Sequence, residues 1–303
     1  SEVIDDYTVK FELKSPSGVF LSALVRLYIL DKQVVMDNIE TGTTFQYPPD
    51  GDLGRNYLLT NDAGSGPYEV YEMVKEDHVY MEKTEDYWAE MEDNSPDEFR
   101  MLALGEAATE RTMFSDRELE ITSQWLPHEI ITAIVEEEGG EKAAYSRGGM
   151  FYGMLHTQKK PLDDVHIRRA LAYCMDYKTQ IDNIFPASKL PRGIIPVGIP
   201  GSIELDMPSK DMEKAEEELQ KSKYYPEIVE NPDEFEIECS WTAEVAATER
   251  VALLLAEQAE KIGLNVRSQK YQWGSLIDAM AAKDTSPQIC MVWVSAGYPE
   301  AGS

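Results

Sequence analysis

Phe235-Glu236-Ile237-Glu238-Cys239-Ser240-Trp241 opens the stretch on which the fold turns. After this strand come a helix from Val245 to Ile262, a strand from Asn265 to Tyr271, a helix from Trp273 to Ala282 and a strand from Gln288 to Trp293. Such alternation implies parallel strands joined by right-handed crossovers, and hence an α/β class. In open α/β sheets ligands gather outside the carboxyl ends of the strands. The spacing places Trp241 and Trp293 at two such ends, Trp273 at the start of a helix and Tyr298 in the loop beyond.

Working back from that run, Met212 to Ser222 reads as a charged surface helix, with Glu213, Glu217 and Lys221 at four-residue spacing. Pro186 to Pro208 holds five of the sixteen prolines and is expected to be an extended wrapping loop. An amphipathic helix is predicted from about His166 to Phe185. Its apolar positions Ile167, Leu171, Cys174, Met175, Ile181 and Ile184 follow helical spacing, and Asp163-Asp164 sit where acids suit the helix dipole. Gly-Gly pairs at 139-140 and 148-149 bracket a polar strand and set a domain boundary near Ala143.

Nearer the start, Tyr7 to Leu13 alternates polar and apolar residues, the period of a half-buried strand, and the apolar run from Val19 reads as a helix entering a core. Phe45 to Asn61 is loop-like. Gly64-Ser65-Gly66-Pro67 is expected to be a tight turn whose glycines permit positive φ. A phosphate loop does not fit there, since no Gly-Lys-Ser/Thr follows and a strand comes next. Tyr68 to Val74 and Asp77 to Lys83 read as a hairpin. A linker at Ala89 to Pro96 leads to a strand at Phe99 to Leu104, a helix at Glu106 to Phe114, a brief strand at Glu120 to Ser123 and a helix at Ile130 to Glu138. The pentapeptide Ala-Ala-Thr-Glu-Arg recurs at 107–111 and 246–250, too short a match to be a repeat.

Charge excludes several function classes. The 303 residues carry 28 Lys+Arg against 56 Asp+Glu, a formal net charge of −28. A nucleic-acid binder needs basic surface to neutralise phosphates, and the nearest approach to one is Lys159-Lys160 with Arg168-Arg169. Anionic lipid headgroups would repel the same field. With 43% apolar residues the acidity does not mean disorder, and it reads as a solubility feature. The longest apolar candidate for a membrane span, Val19 to Leu30, is broken by Arg26. No signal peptide opens the sequence. Cys174, Cys239 and Cys290 lie far apart with no CxxC pair, so buried thiols are expected rather than a disulfide, zinc or redox site.

Catalytic chemistry finds little support. The histidines His78, His128, His156 and His166 form no HExxH, and no nucleophile elbow is present. His156, Asp163, Asp164 and His166 are metal-ligand types, but the aspartates are accounted for as helix-start residues. Glu136-Glu137-Glu138 reads as solvated acidic surface. Neither a catalytic residue, a metal nor a cofactor is expected, and a hydrolase of small extracellular substrates is disfavoured.

Seven motifs in order resemble the family 5 extracellular solute-binding proteins over about residues 3 to 300. They are Asp6-Tyr7-Thr8-Val9 with Phe11 and Leu13; Gly64-Ser65-Gly66-Pro67-Tyr68; Asp86-Tyr87-Trp88; Asp163-Asp164-Val165 with Arg168, Ala170, Leu171 and Asp176; Ile195 to Gly201; Lys214-Ala215 to Leu219; and Ile262-Gly263-Leu264 to Trp273. The resemblance implies a periplasmic-binding-protein-like, two-lobe (type II, Venus-flytrap) architecture and a role in ABC importers of dipeptides, oligopeptides, nickel or some sugars. Because members are longer, it also implies a middle fragment with one lobe incomplete: residues 1–143 part of a first lobe and 144–303 a second. A leader or lipid anchor would then lie outside this chain.

The resemblance departs in chemistry. Peptide-binding members place an aspartate before the tyrosine of a Trp-x-x-Asp-Tyr loop, where it holds the ligand α-amine; here Gly297 precedes Tyr298. Oligopeptide binders offer arginines to the peptide carboxylate, and the corresponding positions carry Met280 and Cys290. Losing either partner removes charge-assisted hydrogen bonds worth roughly 1.5–3 kcal/mol each.

The expectation is therefore a transport receptor whose lobes close over a solute and present it to a membrane permease outside the cytoplasm, in the periplasm or at the cell surface. Trp273 and Trp293 would pack on the ligand, and Ser295 and Tyr298 would offer hydrogen bonds. Trp241 and Arg147 are further candidates. The ligand is expected to be a peptide or an oligosaccharide-like neutral solute, and a signalling receptor keeping the same fold is the alternative.

Overall fold

The computed structural model describes residues 1–42, 51–143, 148–196 and 199–295. It divides into two compact units, Ser1–Leu104 and Gly105–Ser303. The division thus falls at Leu104/Gly105, where the sequence points to Ala143.

In the first unit, β1 (Glu2–Asp5) and β2 (Thr8–Lys10) form an antiparallel ladder, and both are exposed along their whole length. The half-buried strand expected over Tyr7 to Leu13 is therefore shorter and open to solvent. The helix expected from Val19 is two short turns, Phe20–Ala23 and Leu24–Arg26, that bury no residue. An alternating or apolar pattern needs an opposing apolar face to become buried; here Phe11 meets Phe20 edge-on at 5.6 Å between ring centroids, and no residue of these elements is fully buried.

Two aspartates hold this unit's loops. Asp52 is fully buried, and its carboxylate accepts the backbone N–H groups of Glu40, Gly54 and Asn56 at 2.9–3.0 Å, which keeps it ionised below the usual carboxylate range. Asp62 accepts from Gly64 N–H (2.7 Å) and Val70 N–H (3.1 Å). Neither Gly64 nor Gly66 takes a positive φ, so the expected glycine turn is in fact shaped by the Asp62 side chain. The hairpin is present as β3 (Tyr68–Val74) and β4 (His78–Lys83). β5 (Glu98–Leu102) pairs antiparallel with β4, so Ala89 to Pro96 connects two strands of one sheet and is not a linker between domains.

The second unit is built on a four-stranded sheet of β6 (Gly149–Leu155), β7 (Ile237–Thr242), β8 (Val266–Tyr271) and β9 (Ile289–Ser295), in the order β6-β9-β7-β8. β7 pairs parallel with both β8 and β9, while β6 adds an antiparallel edge. The alternating run is borne out. β6 is an addition the sequence reading lacked.

Its longer helices are α1 (Ala107–Ser115), α2 (His128–Glu137), α3 (Val165–Cys174), α4 (Met212–Gln220), α5 (Ala247–Glu260) and α6 (Trp273–Met280). The α5 residues Ala247, Thr248, Val251, Ala252, Leu255, Gln258 and Ala259 form one buried stripe. Val251, Ala252, Leu255 and Ala259 pack in one core with Ile237, Cys239 and Trp241 of β7. Gly263 ends this segment at φ +82°, where a Cβ would meet the Val229 side chain at 2.8 Å, and Leu264 N–H reaches back to Ala259 O.

From β7 the chain moves through α5 to β8 on one side; from β8 it returns through α6 past β7 to β9. Crossovers of one hand that reverse direction along a sheet place their helices on opposite faces. Accordingly Leu276 of α6 packs on the other face, against Cys290 and Val292.

Three expected elements differ. The helix expected from His166 to Phe185 ends at Cys174 because Asp176 caps a new turn, its carboxylate accepting Thr179 N–H at 2.9 Å. Glu120 to Ser123 is not a strand; Ser123 N–H is taken by the Glu110 carboxylate at 2.9 Å instead of a ladder. The polar strand between the Gly-Gly pairs is absent at 141–143 and at 148, and 144–147 lie outside the described residues. Pro186 to Pro208 holds no helix or strand among its described residues, as expected. All three cysteines are free and buried, and burial pushes the Cys174 and Cys239 thiols up to about 12. Among the described residues no helix is long and apolar enough to cross a membrane, and no cluster could hold a metal.

Candidate functional site

The register of the sheet creates an overhang. Ser240 of β7 stands beside Cys290 of β9, so β7, which ends at Thr242, stops level with Val292. Trp293, Val294 and Ser295 run on past it, paired only with Phe151, Met150 and Gly149 of β6. This is the carboxyl end of a parallel strand, where α/β sheets bind ligands.

Trp293 is the centre of an aromatic group at this end. Its ring lies 5.4 Å from Phe151, 5.3 Å from Phe185 edge-on and 6.3 Å from Trp125, centroid to centroid. Each ring comes from a different place in the chain: the edge strand, the turn after α3 and the loop before α2. The group is partly buried, yet the Trp293 indole N–H, itself shielded from solvent, has no hydrogen-bond partner among the described residues. A buried donor left unpaired costs about 1–3 kcal/mol, so an acceptor arriving from outside would recover that cost.

Ser295 is exposed beside Gly149. A Cβ on Gly149 would lie 2.8 Å from Ser295 Oγ, and one on Gly148, held at φ +65°, would lie 2.7 Å from the Ile199 side chain. The second Gly-Gly pair is thus needed for close approach at the overhang.

The other expected tryptophans stand elsewhere. Trp241 is 5% exposed in the main core, and its indole N–H is satisfied by Ser268 Oγ at 2.9 Å. Trp273 is 46% exposed at the first position of α6, its backbone N–H accepted by the Glu244 carboxylate at 2.9 Å. No ring contact joins either to Trp293 among the described residues. Arg147 and Tyr298 lie outside the described residues. Cys290 sits in the small apolar cluster with Leu276 and Val292, against which Met280 packs.

The family model of the bacterial extracellular solute-binding proteins, family 5 middle, matches residues 1–303. The chain belongs to this family. Among curated relatives, the "Probable D,D-dipeptide-binding periplasmic protein DdpA" of Escherichia coli is 28% identical over 202 residues, covering 65% of this chain and 36% of its own. The oligopeptide-binding protein OppA of Bacillus subtilis is 22% identical over 293 residues, covering 93% of this chain and 51% of its own. Among solved structures, Burkholderia pseudomallei OppA superposes with a TM-score of 0.75 at 19% identity, over 99% of this chain and 57% of that one. The α/β fold is therefore that of this family of binding proteins, and the chain spans about half the length or less of the curated relatives it matches.

Trp125, Phe151 and Phe185 were not singled out from the sequence. Phe151 carried a usable signal: Met150-Phe151-Tyr152-Gly153-Met154-Leu155 is a short apolar run behind a Gly-Gly turn, the mark of a buried strand. Trp125 and Phe185 sit in irregular segments whose path only packing sets.

Proposed function

We propose that this chain is part of the substrate-binding component of an ABC-type importer, and that it captures a peptide-like solute and delivers it to a membrane permease. The Trp293 N–H, unpartnered among the described residues and at a strand end that overhangs its neighbour, carries the reading. A peptide carbonyl is an acceptor suited to that donor, and the ring group around it suits an adjacent apolar side chain. Ser295 adds a hydroxyl at the same edge, while Trp273 follows the carboxyl end of β8, on the far side of β7. Arg147 and Tyr298 remain proposed contacts, and Trp241 supports the edge from inside the sheet. The relatives' names support a peptide-like solute, and the periplasmic setting printed for DdpA supports a location in the periplasm or at the cell surface.

One observation favours a neutral solute such as an oligosaccharide. Met280 and Cys290, at positions where oligopeptide binders offer arginines, lie in an apolar cluster and present no cation to a carboxylate.

Calorimetric titration of the intact protein with di- to pentapeptides, their amidated forms and oligosaccharides separates the two. Peptide binding that Trp293→Phe weakens about tenfold or more, without loss of thermal stability, supports the proposal. Binding of saccharides alone overturns the peptide assignment. Peptide affinity unchanged in Trp293→Phe overturns the role of the indole N–H.

A further inference from the structure

We infer a second small-molecule site on the second unit, away from Trp293, that takes an anion with an apolar tail. A pocket of about 410 Å³ is lined by Asp176, Tyr177 and Lys178 on one side and by Leu190-Pro191 and Met207 to Lys210 on the other. That volume lies within the roughly 300–1,000 Å³ usual for ligand sites.

The wrapping loop builds the pocket by folding back on itself. Leu205 N–H donates to Arg192 O at 2.6 Å, and Gly193 passes so close to Ile203 that a Cβ would collide with its carbonyl oxygen. The Arg192–Glu204 ion pair closes the same crossing. Leu190-Pro191 on the way in and Met207-Pro208 on the way out are thereby brought side by side as an apolar wall. Leu190 and Met207 remain exposed, large apolar side chains at a concavity. Long irregular loops in compact units commonly serve binding.

Polar bookkeeping at the rim selects the ligand's charge. The Asp176 carboxylate already accepts Thr179 N–H on Oδ1 (2.9 Å) and the Lys210 ammonium on Oδ2 (2.7 Å). Each ammonium has three donors; Lys210 makes one ion pair, with Asp176, and Lys178 one, with Asp182. The Tyr177 hydroxyl donates to Ala172 O at 3.1 Å. The two ammoniums at the rim therefore keep spare donors among the described residues, and the lining charge is two cations against one anion in a chain of net −28. A small carboxylate fits: its oxygens between Lys178 and Lys210, its tail along Leu190, Pro191, Met207 and Pro208.

Octanoate, octanol and octylammonium, equal in tail and different in head, test the site by calorimetry on the intact protein, with ¹³C-methyl spectra of Met207 assigned by Met207→Leu. The expected result is saturable octanoate binding that shifts the Met207 signal, weaker octanol binding and none of octylammonium. Lys178→Gln should weaken octanoate about tenfold, and Leu190→Asp should abolish it while thermal stability is retained. No octanoate binding, octylammonium binding as tightly as octanoate, or octanoate binding that neither moves Met207 nor responds to Leu190→Asp would each overturn the assignment.

Discussion

The two units use their apolar residues in opposite ways. In Gly105–Ser303 the strand β7 is buried along nearly its whole length, and Ile237, Ile289, Leu162 and Ile167 are fully enclosed. In Ser1–Leu104 the strands β1, β2 and β5 are exposed throughout, and Ala63 is the one buried apolar side chain among the described residues. The second unit is held by packing, with α5 and α6 closing the two faces of its sheet. The first is held by backbone ladders and by carboxylates that collect backbone N–H groups. Local hydrogen bonds can shape a chain without a core, but burial supplies most of the free energy.

The largest test of this contrast compares truncations. Ile289→Ala should destabilise the second unit by about 2–5 kcal/mol, whereas Val9→Ala in the exposed β2 should stay within about 0.5 kcal/mol. Urea unfolding monitored by circular dichroism reads both, and similar costs at the two sites would break the comparison.

Carboxylates offer a sharper version. Asp164 accepts His166 N–H (2.8 Å), the buried Ser222 hydroxyl (2.9 Å) and Lys223 N–H (2.8 Å), which holds it ionised despite burial. Asp164→Ala should cost about 2–3 kcal/mol, combining a lost cap with orphaned donors. Asp62→Ala, which frees two N–H groups at a partly exposed loop, should cost about 1 kcal/mol. Thermal unfolding gives the totals, and faster amide exchange at Lys223 or Val70 would locate each loss.

The smallest expected effect concerns acid. Lys221, His166 and Arg169 surround Glu218. Hydrogen bonds from Lys221 first and His166 second bring its pKa down from 4.5 to about 2. A depressed carboxylate stabilises the fold above its unfolded pKa, and that contribution fades as pH falls from about 4.5 towards 2. Glu218→Gln should therefore flatten the acid limb of the second unit's stability in that window. An unaltered acid limb would show that Glu218 is not a seat of acid sensitivity.

How much was legible follows the same division. The βαβαβ run could be read because each segment carries its own period and the turns between are short. α4 and the Tyr68 to Lys83 hairpin were legible for the same reason. The run from His166 to Phe185 keeps helical spacing, yet Asp176 breaks it by offering its carboxylate to Thr179 N–H. Gly64 and Gly66 looked like positive-φ glycines, but Asp62 shapes that loop. Of the expected tryptophans, only Trp293 falls in the aromatic group at the strand overhang. Trp241 was placed at a strand end, as found, but which face it occupies and whether its N–H is satisfied depend on Ser268, twenty-seven residues away.

By itself the sequence determined the α/β class, the order of strand and helix in the second unit and the family resemblance. These depend on local period, composition and motif order. Tertiary structure alone decided the strand order β6-β9-β7-β8, the overhang at Trp293, whose indole N–H has no partner among the described residues, and the fold-back that opens a pocket beside Lys210. Each of these depends on which distant segments meet, and pairing between distant segments leaves no period in the chain.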